Sequence, residues 1–212
     1  MIQQTIYIFI NGIQSYPGDP SLWNKRACTW IHLNTTFKAQ ADEYFTTALT
    51  VWLNQKKRAR VLADLIAQFK GWRIILVAHS NGAWVAVNAL NLLHWSVPVA
   101  EIHLVSGACD GNFTRNGLNF GLKTGLLGFA GVYVAGKDMA MRVEETLAGR
   151  CLFGIYPGDK PLGLAGASEV WSGVKDDPRR FKTITEEDYG HSGWWRGDAF
   201  GRTMKCFVPS VT

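Results

Sequence analysis

The segment from Ile74 to Ala83, IILVAHSNGA, constrains this chain more than any other. Its fully apolar run reads as a strand covered on both faces, and within a few residues it passes into a stretch of helical character. Such a join needs a sharp turn, with small residues where strand and helix come close. Gly82 meets that need two residues after Ser80, and Ala78 stands two residues before it. A turn of this kind pushes the side chain at its apex outward, which marks Ser80 as a candidate nucleophile. The plain alternative is that Ser80 caps the helix that follows.

The rest of the chain supports a parallel sheet around that strand. Thr5 to Ile10 is apolar on both alternating faces and reads as a central parallel strand. Thr29 to Leu33 is expected to be a short second strand, and Phe37 to Leu53 to hold one short helix. Gln55 to Phe69 has the period of an amphipathic helix, stopped by Gly71. Trp72 to Ala78 is then a strand, Gly82 to Trp95 a helix ended by Pro98, and Glu101 to Ser106 a strand. Val132 to Ala135 and Phe181 to Ile184 read as further strands, Met139 to Leu147 and Trp195 to Phe207 as helices. Alternating strand and helix predicts one α/β domain over residues 1–212, a mainly parallel central sheet with helices on both faces. Its core should contain Ile6, Ile8, Ile10, Ile75, Val77, Leu104 and Val134.

Two stretches resist a simple reading. Between Gly111 and Gly131 six glycines alternate with leucines and phenylalanines. They suit either a closely packed loop with a helical turn or a flap bordering the substrate entrance, in which Leu126 and Phe129 would meet an acyl chain. Residues 150–171 form a glycine-rich insertion, with a second copy of the turn tetrapeptide YPGD found at Tyr16 to Asp19.

Composition narrows the function classes. A chain of 212 residues can bury a core without disulfides or metals. Cys28, Cys109, Cys151 and Cys206 lie far apart, without metal spacing, and are expected to be buried thiols, which points to a reducing, cytoplasmic setting. MIQQTIYIFI has no basic lead-in and reads as a core strand rather than a signal peptide. No apolar run reaches the roughly 20 residues that span a bilayer. The net charge of +5 draws on KKRAR at Lys56 to Arg60 and on Arg179 and Arg180. The first cluster fits the solvated side of an amphipathic helix, and no nucleic-acid module accompanies it. Neither GxxxxGK[ST] nor GxGxxG is present, and the five histidines form no HExxH, so neither a cofactor nor a metal is expected.

A serine nucleophile needs a base and an acid that orients the base, and strand ends along one sheet edge let distant residues meet. His191 follows the last strand beside Gly190. Asp138 follows Val132 to Ala135 and Gly136, while Asp110 follows the earlier strand; Asp188 would have to fold back on its near neighbour. The order Ser80, acid, His191 resembles the α/β-hydrolase superfamily over nearly the whole chain, in a minimal esterase- or lipase-like form without a separate cap domain. AHSNG is similar to that family's GxSxG elbow, Gly136-Lys137-Asp138 to its acid turn, Gly190-His191 to its histidine loop, and Ile10-Asn11-Gly12-Ile13 to its oxyanion segment with asparagine for histidine. The resemblance favours Asp138 over Asp110 and implies an oxyanion hole from the backbone N–H groups of Asn81 and of Ile13 or Gln14. It implies a carboxylic ester or thioester cleaved through an acyl-enzyme, with amide cleavage, acyl transfer or a non-catalytic binding role as alternatives. Trp84, Trp194, Trp195 and the leucines near Leu126 are candidates for an acyl site. His79, His94 and His103 are expected to pack against strands, and His32 carries no stronger claim.

Overall fold

A computed structural model describes residues 3–13, 22–42, 51–144, 155 and 159–208. Six strands form one sheet in the order β2-β1-β3-β4-β5-β6, every neighbouring pair parallel. In chain order the elements are β1 (Thr5–Ile10), α1 (Trp23–Asn34), β2 (Lys38–Ala41), α2 (Val51–Gln68), β3 (Arg73–His79), α3 (Asn81–Leu92), β4 (Val99–Val105), α4 (Leu118–Thr124), β5 (Leu127–Ala135), α5 (Met139–Glu144), α6 (Leu162–Ala165), α7 (Ser172–Lys175), β6 (Phe181–Glu186) and α8 (Gly197–Phe207), with a 3-10 turn at Gly193–Trp195 before α8.

The pleat sorts the core into two layers because successive strand residues point to opposite faces. Ile6, Ile8, Ile10, Ile74, Leu76, Leu104 and Val132 face α2, α3 and α4. Tyr7, Phe9, Ile75, Val77, Val105 and Tyr133 face Trp23, Ala27 and Ile31 of α1 and Phe200, Met204 and Phe207 of α8. All seven expected core residues are buried, and the three-layer architecture is the expected one.

Four local readings change. Thr29 to Leu33 is helical, not a strand: Trp23, Ala27 and Ile31 recur every four residues and bury one stripe of α1, while Leu33 is 78% exposed. Phe37 to Leu53 contains the edge strand β2, whose Lys38–Ala41 pair with Ile6–Phe9; residues 43–50 lie outside the described residues, and a helix begins only at Val51. Arg58, assigned with its cluster to a solvated face, is 2% exposed, on the stripe shared by Gln55, Ala59, Leu62 and Ile66. Of the cysteines, Cys109 is buried, Cys28 half-buried and Cys206 exposed, while Cys151 lies outside the described residues.

From Leu118 onward the glycine-rich stretch is a packed crossover between β4 and β5. Leu118 and Leu122 of α4 are fully buried, and residues 127–131 are the first half of β5, paired with β4 from Val99 to His103. That half lies at the strand's amino end, on the sheet edge opposite Ser80, so neither Leu126 nor Phe129 can border a site there. Pro161 and Ser168 bridge Asp110 and Asn112, and the buried Leu162 joins the core, which ties the described part of the 150–171 insertion to the loop after β4. Among the described residues no helix is long and apolar enough to cross a membrane.

Candidate active site

Ser80 sits at the carboxyl end of β3 with φ 54° and ψ −130°, a backbone state that a side chain rarely adopts. The strain, on the order of 1–3 kcal/mol, is held in place from three directions. The Ser80 N–H donates to the Val105 carbonyl at 3.0 Å, and its own carbonyl accepts the N–H groups of Ala83 and Ala108, both at 2.9 Å. Glycine is required on either side of the turn. A Cβ at Gly82 would lie 2.5 Å from the Ile10 carbonyl oxygen, and one at Gly12 would lie 2.7 Å from the Ser80 Cβ. Ala78 is fully buried without difficulty. Ser80 makes no side-chain cap hydrogen bond, so the N-cap reading does not describe it.

The acid is Asp138. Its carboxylate is fully buried and receives His191 Nδ1–H at 2.9 Å on one oxygen and 3.1 Å on the other. The second oxygen also accepts the N–H of Met141 at 3.0 Å, which fixes the carboxylate plane. The two carrying turns are locked together, because Gly136 N–H donates to Glu186 and Lys137 N–H to Tyr189. Asp110 serves elsewhere: it accepts the N–H of Asn112 and lies near Arg115. Asp188 pairs with Lys137 on the surface.

Ser80 and His191 line one cavity of about 570 Å³, a size suited to a small-molecule ligand. No hydrogen bond joins Ser80 Oγ to His191 in this conformation, a common state of unliganded sites. Ile13 also lines the cavity, whereas Gln14 lies outside the described residues. Asn81 opens α3, and its backbone N–H is one of those that a helix start leaves without an intrahelical partner. Asn11, standing where the resemblance calls for histidine, holds the turn at Gly12 in shape. Its Oδ1 accepts both the Gly12 N–H at 2.9 Å and the Trp23 Nε1–H at 2.7 Å.

Several contributors were not legible as site residues. Trp23 stacks on Trp195 with ring centroids 3.9 Å apart, and both line the cavity. Of the expected aromatic candidates only Trp195 does so; Trp194 is buried against Tyr133, and Trp84 packs on the other face. His79 also lines the cavity, edge-on to both stacked tryptophans, with Nε2 3.0 Å from the His191 carbonyl oxygen. Burial, reinforced by the His191 charge, pushes the His79 pKa down to about 3, so it is neutral at physiological pH. His103 is buried between Glu101 and Tyr133, as expected of a core histidine, but His94 and His32 are exposed. Beneath the site, Arg58 donates to the Asn11 carbonyl at 2.9 Å and to Asp42 at 2.7 Å. Helical spacing from Ala59 and Leu62 was the available signal for its burial. Among the described residues no cluster of three or more metal-ligating side chains forms.

These features define the α/β-hydrolase fold. Solved structures share it across almost the whole chain. A protein of Agrobacterium vitis S4 described as a candidate hydrolase superposes with a TM-score of 0.56 at 12% identity, covering 96% of this chain and 86% of its own. A candidate CIB-like hydrolase of Thermoplasma acidophilum gives 0.52 at 12% identity, over 96% of this chain and 84% of its own. The N-formylmaleamic acid deformylase Nfo of Pseudomonas putida S16 gives 0.52 at 12% identity, over 94% and 91%. Neither the family models nor the curated proteins compared with the sequence yield a match.

Proposed function

We propose that this protein is a serine hydrolase that cleaves a carboxylic ester or thioester through an acyl-enzyme, with Ser80 as nucleophile, His191 as base and Asp138 as the acid that orients it. The observation that carries this reading is the Asp138–His191 pair at 2.9 Å, opening on the cavity in which Ser80 is held at φ 54°. Asp138 keeps the proton on Nδ1 of His191 and leaves Nε2 as a base. His191 takes the Ser80 proton as Oγ attacks the carbonyl carbon, and the negative oxygen of the tetrahedral intermediate meets the N–H groups of Asn81 and of Ile13 or Gln14. His191 then protonates the departing alkoxide or thiolate. Water, deprotonated in turn by His191, attacks the acyl-enzyme, releases the acid and restores Ser80.

The hydrolase names of proteins with this fold support the general class. The reading is tested with a fluorophosphonate probe, which modifies an activated serine whatever the natural substrate. Labelling of Ser80, located by peptide mass and lost in Ser80→Ala, is expected; an unlabelled, folded protein overturns it.

A further inference from the structure

The charge of the cavity indicates which substrates it takes. Two arginines line it, Arg26 from α1 and Arg196 from the turn before α8, and among the described residues no aspartate or glutamate does. The acid of the site, Asp138, lies behind His191 and is spent on it. Arg26, an exposed residue, is held in place: its Nη1–H donates to the Trp195 carbonyl at 3.2 Å, and its guanidinium carbon lies 4.4 Å from the centre of the Phe200 ring. A guanidinium has five N–H donors in a fixed fork, and among the described residues Arg26 donates to one carbonyl and to no carboxylate. Arg196, next in sequence to the tryptophan that orients Arg26, has no carboxylate partner among the described residues either. His79 adds no competing charge. Two exposed cations on a cavity wall, with no carboxylate among its described lining residues, form a field that attracts a negative group and that salt screens in part.

We propose that Arg26 and Arg196 are specificity-determining residues that bind an anionic oxygen group, a carboxylate or a phosphate, carried by the substrate at a distance from the bond Ser80 attacks. This rests on the serine hydrolase reading of the same cavity. Charge-assisted bonds from arginine to such groups are about twice as strong as neutral ones and often bidentate. Binding energy gathered on this remote group positions the scissile carbonyl over Ser80. Neutral esters lack that anchor and are expected to be the poorer substrates.

Alkyl fluorophosphonates of matched chain length, ending in a methyl, a carboxylate or a phosphate, test the proposal by their rates of Ser80 labelling. The expected result is labelling by all three, with one or both anionic probes faster than the methyl probe by about tenfold or more, the size expected for a charge-assisted pair. The faster of the two identifies the anionic group. Arg26→Gln and Arg196→Gln should each bring the anionic-to-methyl ratio toward one, Arg26→Lys should keep part of it, and raising the ionic strength from about 0.05 to about 0.5 M should shrink it in the wild type. Equal rates for all probes across the chain-length series, or a ratio untouched by salt and by both glutamine variants, overturn the anion proposal while leaving Ser80 as the nucleophile. Absence of labelling by every probe overturns the hydrolase reading, and the anion proposal falls with it.

Discussion

Arg58→Met tests the claim that the segment of residues 11–13 is held from below by a buried ion pair. The Arg58 side chain is 1% exposed, while that of its partner Asp42 is 18% exposed. The substitution keeps the length of the stem and removes the guanidinium. It deletes a charge-assisted bond to Asp42 and another to the Asn11 carbonyl, each worth about 1.5–3 kcal/mol. Breaking a buried pair from one side costs about 3–5 kcal/mol, because the remaining charge is stranded. Here Asp42 can turn partly to water, so the lower figure applies, and a loss of about 3 kcal/mol is expected. At about 2–4 °C per kcal/mol for a chain of this size, Tm should fall by roughly 6–12 °C. Denaturant unfolding of Arg58→Met, Asp42→Asn and the double variant measures the effect, and the cycle should show a coupling of at least about 1 kcal/mol. The labelling rate of Ser80 in the folded variant should also fall, since the Asn11 carbonyl that Arg58 holds lies beside the Gly12–Ile13 backbone. A loss below about 0.5 kcal/mol, the size for an exposed pair, would refute this reasoning and restore the solvated-face reading of the basic cluster.

Other substitutions probe the site directly. Ser80→Ala and His191→Ala should each abolish nearly all turnover of any ester the wild type accepts, and the double variant should be hardly worse, since triad members act as a unit; Ser80→Gly should in addition raise stability by about 1 kcal/mol through relief of the positive φ. Asp138→Asn should lower kcat severely, on the order of the 10⁴-fold loss seen for the equivalent change in the well-studied serine protease triad, whereas Asp110→Asn should leave the chemical step intact; the reverse ranking in steady-state assays would move the acid. Gly82→Ala should destabilise by about 1–3 kcal/mol through overlap with the Ile10 carbonyl, read as a lower Tm. For His79 the folded pKa of about 3 lies below the unfolded value of about 6.5, so the unfolded chain binds the extra proton between them and stability falls as pH drops. By about pH 5 that loss should be about 2 kcal/mol, and His79→Asn should lack this part of the acid slope in denaturant titrations.

What the sequence determined by itself is whatever local pattern encodes. Strands β1, β3, β4 and β5 are buried on both faces, so their apolar runs announce them. The elbow is legible because its geometry excludes Cβ atoms at Gly12 and Gly82 and turns one serine toward the cavity between strand and helix. The gathering of Ser80, Asp138 and His191 at one sheet edge is legible too, because parallel strands deliver their following residues to that edge. The edge strand β2, KAQA, has neither an apolar run nor a buried face and is defined only by pairing with β1. TWIHL suits a strand by propensity, yet it becomes helix because packing of Trp23, Ala27 and Ile31 against the sheet outweighs preferences of a few tenths of a kcal/mol per residue. Asp110 and Asp138 are equivalent in the sequence as post-strand acids, and only the tertiary structure pairs one of them, Asp138, with His191, by bringing the turns after β5 and β6 together across Gly136 and Glu186. The cavity itself belongs to no local segment. It joins Trp23 and Arg26 of α1 to Trp195 and Arg196 before α8, residues that become neighbours only when both ends of the chain close over the same face of the sheet.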